Sequence, residues 1–596
     1  MGKLRYFNFF YHYLGGSVWI GLTASMLMAV LDGIGLTMFL PLMQVMDGGK
    51  LGSTIAGAGQ GMGNMAFLLD GIVATGLEVN LVTLLLVMLS FFVLKSVAKF
   101  SSEYYRVILQ QRFSNKMRLD NMSLLAGYDY MAFTRADSGR IQNSFSAEVG
   151  SVTMAYQNYF MMLQHIIMLL VYVGLASLAN PRFAVMVGIG GLLSNFAFSR
   201  IYMATKTASQ RLTAEMHKFQ GFLIQSVANF KYLKATGLIN KYKNKVEDSI
   251  VAVEHHQRKT GTMNAIANAL REPIIMLIVV AAILVQALVF EERLGLIMLS
   301  LLFLYRGLSC LVGAQNSYNM FLGRSGSIDN MEAFGKELTA DQETTGGALY
   351  HGLDKGVKLN RLDYTYADKP VIENLNLTIP YNHTLGIVGA SGTGKTTLVN
   401  ILCGMLKVER GMLTVNGMDV NDLDTKSYRT KIGYVTQEAQ IFSDTIYNNV
   451  SFWEPLTDKV KDRVHAALKL AHADEFVQVL PQGGNTKIGI NGVNLSGGQR
   501  QRISIARELY REVDLLILDE ATSALDSKSE KLIQENIDSL SGRYTMLVIA
   551  HRLSTMRQAD KILFFHAGGH YETGTFASLM ITSDAFREMV SLQSFG

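Results

Sequence analysis

Thr384-Leu385-Gly386-Ile387-Val388-Gly389-Ala390-Ser391-Gly392-Thr393-Gly394-Lys395-Thr396 decides how the C-terminal part of the chain folds. An apolar strand runs directly into a loop of small residues, and Lys395, Thr396 and Thr397 then open a helix. At such a junction the backbone N–H groups close around phosphate oxygens, the lysine reaches the terminal phosphates and the hydroxyl suits Mg²⁺. Gly389, Ser391, Gly392, Gly394, Lys395, Thr396 and Thr397 are therefore candidate nucleotide-binding residues, with Thr396 also a candidate metal ligand.

Two further pieces follow. Leu515-Leu516-Ile517-Leu518-Asp519-Glu520 reads as an apolar strand ending in two acids. Asp519 is placed to hold Mg²⁺, directly or through water, and Glu520 to orient and polarise an attacking water. Between the loop and the acids stands Leu495-Ser496-Gly497-Gly498-Gln499, with a helix expected to start near Arg500. A Ser-Gly-Gly turn at a helix N-terminus is a second phosphate-binding device.

Upstream the composition changes. The 596 residues are 49% hydrophobic and only 17% charged, below the roughly 25% charged of an average soluble protein. Residues 1–335 carry 27 Lys/Arg against 18 Asp/Glu, and residues 336–596 carry 27 against 31. The basic half is also the apolar half, which reads as a membrane domain with basic cytoplasmic loops rather than a nucleic-acid binder. Disorder, fibres and coiled coils are excluded. Cys310 and Cys403, far apart, can build neither a disulfide framework nor a Cys-based metal site.

Six stretches are long and apolar enough to cross a bilayer: 17–46, 79–100, 157–178, 183–203, 266–290 and 294–322. Short connections join the third to the fourth and the fifth to the sixth. The long connections, 101–156 and 204–265, are basic and keep helical periodicity, so the membrane helices are expected to continue into the cytoplasm. In the first external connection Met62, Met65, Leu69, Ile72 and Val73 form a stripe suited either to a membrane surface or to packing on protein. The expected division is a membrane domain over 1–335, a linker over 336–356 and a nucleotide-binding domain over 357–596.

Ionisable groups inside spans are costly and face a cavity or a partner. Lys95, Lys99 and Arg106 share one helical face, Asn264, Asn268 and Arg271 another ahead of Pro273, and Arg306 lies mid-span. Lys95, Lys99, Arg106, Arg271 and Arg306 are candidates either for an anion-binding cavity lining or for interface anchors and internal ion pairs. His165 reads as a packed or hydrogen-bonded residue.

The order of glycine-rich loop, Leu-Ser-Gly-Gly-Gln and Leu-Asp-Glu resembles the ABC transporter ATPase. That resemblance, covering 357–596, implies further roles. Tyr366 would stack on adenine, Gln437 would belong to the Q-loop as a catalytic and metal-linked residue, and Asp526 would lie in the D-loop. His551 would be the switch histidine, and Ser496, Gly497, Gly498 and Gln499 would form the signature contacting the nucleotide. The membrane half resembles the exporter type, six long helices fused before one ATPase domain, with coupling helices expected within 127–136 and 222–234. Segment 486–492 occupies the exporter cross-linking loop but carries Lys487 and Asn491 in place of the usual acidic pattern.

One ATPase domain and six spans are half of what that architecture needs. A second copy is therefore expected, with ATP and Mg²⁺ as cofactors in a cell inner membrane; the alternative is a heterodimer with a partner whose site is degenerate. The phrase Asp32-Gly33-Ile34-Gly35-Leu36-Thr37-Met38-Phe39-Leu40-Pro41 and the arginines near the spans resemble lipid-linked oligosaccharide flippases of the PglK type. The implied cargo is a polyprenyl-pyrophosphate oligosaccharide. The alternatives are another lipid, a peptide or a drug-like amphiphile, and, in a different class, an ATP-gated channel or regulator.

Overall fold

The computed structural model describes residues 2–39, 42, 74, 81–179, 181–289, 294–343, 346–366, 369–489, 492, 494–520, 527–549, 556–566 and 570–594. The chain divides into two units, Met1–Tyr128 with Ala132–Gln342, and Asp129–Met131 with Glu343–Gly596.

The first unit is helical. Its long helices are α2 (Ser17–Thr37), α3 (Leu81–Ala126), α5 (Val149–Ala179), α6 (Pro181–Ala228), α8 (Ile239–Val289) and α9 (Leu294–Leu322), and one expected stretch falls in each. Among the described residues, helical segments 17–37, 81–126 and 138–178 are long and apolar enough to cross a membrane. Only 6% of the apolar window of α3 is buried inside the protein, so Leu86, Leu89, Val93 and Val97 face outward. In water that surface would be an aggregation liability, whereas in lipid it is the expected state. At 46, 48 and 51 residues, α3, α6 and α8 reach about 70 Å, more than twice a hydrocarbon core of about 30 Å. Residues 62–73 lie outside the described residues.

A short helix, α4 (Tyr130–Arg135), stands within the first expected coupling segment, and another, α7 (Phe230–Ala235), overlaps the end of the second. The N-terminal helix α1 (Gly2–Leu14) is held by aromatic side chains. Phe10 meets Phe113 of α3 at 5.5 Å and Tyr6 meets Phe321 of α9 at 5.0 Å, while Phe113 stacks on Tyr156 of α5 at 5.2 Å. Such pairs contribute about 0.5–1.5 kcal/mol beyond their buried area. Arg5 at the polar edge pairs with Asp329 at 3.1 Å and with Glu332, both on α10 (Ser325–Ala340). Because α10 continues to Ala340, the segment expected as a linker from 336 begins as helix, and the unit boundary falls after Gln342.

Backbones approach closely where a short helix passes α6. A Cβ on Gly139, in the short helix Ser138–Asn143, would fall 2.8 Å from Cα of Gly221 on α6. The same Gly139 N–H is accepted by Asp137, which caps that helix, at 2.8 Å.

The second unit is built on two sheets. The larger has the order β10-β9-β3-β8-β7-β6, using β3 (Thr384–Gly389), β6 (Ile432–Val435), β7 (Leu515–Asp519), β8 (Thr545–Ile549), β9 (Lys561–Phe565) and β10 (Tyr571–Gly574). All neighbours are parallel except β9 and β10. Leu515 to Leu518 are fully buried, as a parallel strand covered on both faces requires. The smaller sheet is antiparallel, β2-β1-β4-β5, from β1 (Val357–Tyr366), β2 (Lys369–Ile379), β4 (Leu413–Val415) and β5 (Met418–Asp419). Arg429 ties Glu343 to the body of the unit through a two-pronged contact of 2.8–2.9 Å and donates also to the carbonyls of Cys403 and Gly404. Cys310 and Cys403 are both buried and free. Burial pushes the Cys403 thiol up to about 12, which leaves it unreactive.

Candidate nucleotide site

The loop after β3 is held open by backbone conformations that side chains disfavour. Gly392 and Gly394 have φ of +83° and +101°, and a Cβ on Gly394 would fall 3.1 Å from the carbonyl oxygen of Val371 on β2. Gly394 caps helix α11 (Lys395–Leu402) in this left-handed conformation, so the first N–H groups of the helix point into the loop. The Lys395 ammonium donates to the carbonyls of Gly389 and Ala390, both at 2.8 Å, and Thr393 closes the loop on Ala390 at 2.9 Å. Burial lowers the Lys395 pKa, while the nearby Glu520 and Asp519 hold it up. Ser391 and Thr396 are exposed, and Thr397 is buried against the core.

Strand β7 delivers the two acids. Asp519 stands at its C-terminal end, where burial raises the carboxyl pKa and the Tyr434 hydroxyl and Lys395 draw it back. The Tyr434 hydroxyl on β6 donates to Asp519 Oδ2 at 3.1 Å. Glu520 follows with φ of +49°, left-handed for a residue with a side chain, and its N–H donates to the Ile549 carbonyl of β8 at 2.9 Å. Such a backbone costs about 1–3 kcal/mol and persists only where its surroundings hold it. Gln437, just past β6, donates its amide N–H to Glu520 Oε2 at 2.6 Å.

Lys395, Gln437, Asp519 and Glu520 thus meet where β3, β6 and β7 end. Sequence reasoning missed Tyr434, because its partner lies 85 residues away and only the pairing of β6 with β7 brings them together. The pattern Ile432-Gly433-Tyr434-Val435, a lone hydroxyl within an apolar strand, was the one signal available.

The Ser496 segment corrects one expectation. Helix α12 spans Gly497–Tyr510 and begins at Gly497 rather than near Arg500. Ser496 is its N-cap in a reciprocal capping box, accepting from the Gln499 N–H while Gln499 Oε1 accepts the Ser496 N–H at 2.9 Å. The reason is local, since that box satisfies two donors and starts the helix three residues earlier. Tyr366 ends β1 on the hairpin whose Val371 packs on Gly394, and it is partly exposed beside Tyr364 at 5.3 Å. Asp526 and His551 lie outside the described residues, as does Asn491.

The donor set suits Mg²⁺. The Thr396 hydroxyl, the Asp519 carboxylate and the Gln437 amide oxygen are hard oxygen ligands of the kind that ion takes. Gln437 uses its N–H on Glu520, so its oxygen is the atom left for a cation.

Comparison with protein families matches residues 372–523 to the ABC transporter description and residues 51–313 to the ABC transporter transmembrane region. Over 521 residues the chain is 30% identical to an ATP-dependent lipid A-core flippase of Francisella novicida, covering 83% of this chain and 84% of that protein. The chain belongs to the ABC transporter family. A protein of the same description from Vibrio parahaemolyticus is 42% identical over 240 residues, where the match covers 40% of this chain and 41% of that protein, less than two thirds of its length. In fold the transporter is similar to a bacterial Atm1-family ABC exporter with ATP bound, with TM-score 0.77, 21% identity and coverage of 97% and 99%.

The membrane region of this transporter uses its charges in several ways. Lys95, which the sequence left open between a cavity lining and an anchor or ion pair, is ion-paired with Asp32 of α2, and helical periodicity could not show which helix faces it. Arg106 donates to Gln164 of α5 at 3.3 Å beside a cavity of about 30 Å³, enough for a water molecule. Lys99 is exposed and Arg306 half-buried. The Arg271 side chain lies outside the described residues. His165 is hydrogen-bonded to the Met161 carbonyl at 2.7 Å, and Gly313 of α9 leaves room for its ring.

Proposed function

We propose that this transporter is an ATP-driven exporter of the flippase kind, working by alternating access as a pair of identical copies in a bacterial inner membrane. The observation that carries the proposal is the Gln437–Glu520 contact at the end of β7, beside Asp519 and Lys395. It joins a water-polarising carboxylate to the residue that also senses the metal, which hydrolysis of ATP requires and mere nucleotide binding does not.

In this reading each ATP lies between the loop of one copy and Ser496, Gly497 and Gly498 of the other. Lys395 binds the terminal phosphates and the N–H groups opening α11 take the rest. Tyr366 stacks on the base. Glu520 orients the water and accepts its proton, with His551 and Asp526 completing the site. Mg²⁺ bound at Thr396, Asp519 and Gln437 would neutralise charge on the transferring phosphate. Closure of the sandwich favours the outward-open membrane domain and hydrolysis resets it, a two-state switch biased by phosphate contacts.

For the cargo we propose an amphipathic lipid with an anionic head group, such as a polyprenyl-pyrophosphate oligosaccharide. Relatives named as lipid A-core flippases support the lipid class. Arg306 and Arg106, together with Lys95, Lys99 and Arg271, are the candidate groups for the head. The test is ATPase activity of the full chain in lipid nanodiscs, with and without the polyprenyl-pyrophosphate oligosaccharide, for wild type and Arg306→Ala. Stimulation that is lost in Arg306→Ala is the expected result. Stimulation untouched by the substitution removes Arg306 from the site, and no stimulation removes this cargo.

A further inference from the structure

Asp32 sits within α2 with 2% of its surface exposed. One carboxylate oxygen takes the Lys95 ammonium of α3 and the other accepts the Tyr172 hydroxyl of α5. Three helices therefore converge on one acid. Gly33 makes the approach feasible, because a Cβ there would fall 2.1 Å from Cδ1 of Leu175, three residues along from Tyr172. The Lys95 ammonium lies 5.4 Å from the Phe92 ring, and its side chain keeps about a fifth of its surface accessible where that of Asp32 keeps 2%. Arg306 stands next to Gly307, which packs against Tyr172, and acts electrostatically on Tyr172 and Cys310. Among the described residues no carboxylate pairs with Arg306 within salt-bridge distance.

We propose that Asp32 is a specificity-determining residue, an internal counterion that keeps Lys95 neutralised against singly charged lipids and yields it to a multiply charged head group. The inference rests on the flippase reading and names the discrimination that reading needs. A bilayer offers phosphodiester lipids in great excess. Were Lys95 bare, any of them would bind it. With Asp32 in place, a single negative charge gains nothing by exchange and leaves a buried carboxylate without its cation, which is strongly unfavourable. A pyrophosphate or phosphate monoester brings about two charges and engages Lys95 and Arg306 together, while Asp32 keeps the Tyr172 hydroxyl. Selection thus comes from an element built against the wrong ligand.

The experiment uses the full chain in phosphatidylcholine nanodiscs titrated with either phosphatidylglycerol or polyprenyl pyrophosphate, reading lipid binding by native mass spectrometry and ATPase in parallel. Asp32→Asn should raise phosphatidylglycerol binding about tenfold, the scale of a modest electrostatic term, with little change for the pyrophosphate. The double variant Asp32→Asn/Lys95→Gln should lose that gain. Tyr172→Phe, which loosens the acid without adding or removing charge, should move phosphatidylglycerol binding the same way to a smaller degree, and it serves if Asp32→Asn does not fold. Unchanged phosphatidylglycerol binding in Asp32→Asn and Tyr172→Phe overturns the proposal, as does a gain that survives in the double variant. Failure of the pyrophosphate lipid to bind or stimulate wild type counts against the cargo alone. A phosphatidylglycerol gain in Asp32→Asn upholds the counterion even then.

Discussion

At the scale of single residues, Glu520 and Tyr434 make separable predictions. Glu520→Gln keeps the shape of the site and the contact to Gln437 but removes the proposed base. Bound ATP should persist in a closed dimer while hydrolysis falls at least about 100-fold, the usual worth of a general base. Near-normal turnover in a phosphate-release assay would remove Glu520 from that role. Tyr434 acts through Asp519, which in the proposed site would serve the cation only as a carboxylate. Burial already raises the Asp519 pKa, and the Tyr434 hydrogen bond lowers it by favouring the charged form. Tyr434→Phe should raise that pKa further and move the acid limb of the ATPase pH profile to higher pH. An unmoved limb would mean that Tyr434 does not tune this carboxylate. The two cases also show what sequence can and cannot reveal at this scale. Glu520 is legible because strand, acid and spacing stand together in six residues. Tyr434 and Asp32 are not, because their partners lie 85 and 63 residues away on other elements. Periodicity fixes a face, not its neighbour.

Among the elements, the close passage of helix Ser138–Asn143 by α6 gives a paired test. At Gly139 a methyl group meets the Gly221 backbone, whereas a Cβ on Gly221 meets nothing within 4 Å. Gly139→Ala should therefore destabilise the membrane unit by about 1–3 kcal/mol, as overpacking does. Gly221→Ala, within a helix, should be neutral or stabilising by up to about 1 kcal/mol. Thermal unfolding in detergent reads both, and a Gly139→Ala protein as stable as Gly221→Ala would mean that the two backbones are not in contact. The long helices and the ATPase strands could be read from hydrophobic runs because burial in lipid and in a parallel sheet both demand continuous apolar residues. Helix ends were harder to read. The Ser496–Gln499 box begins α12 at Gly497, and α10 runs past residue 336, since capping and the burial of Phe334 and Leu338 outweigh local polarity.

For the whole molecule, the proposed pairing of one copy's loop with the other's Ser496 segment can be tested by mixing. Ser496→Arg and Lys395→Ala should each abolish hydrolysis alone. In mixed dimers one site draws an intact loop from the first variant and an intact Ser496 turn from the second. If the two sites act independently, an equal mixture should recover about a quarter of wild-type activity, given random assortment of a two-fold dimer. A mixture as inactive as either variant goes against shared, independent sites. The same chain must first be made, and the Asp32–Lys95 pair bears on that. Asp32 leaves the ribosome 63 residues ahead of Lys95, roughly 3–13 s at ordinary elongation rates. Alone in the bilayer each charge costs about 2.5–3.5 kcal/mol, and that cost falls when they meet. The first helix is thus poorly settled until the second arrives, which ties insertion of the two helices to one another and makes the order of synthesis part of how the membrane domain assembles.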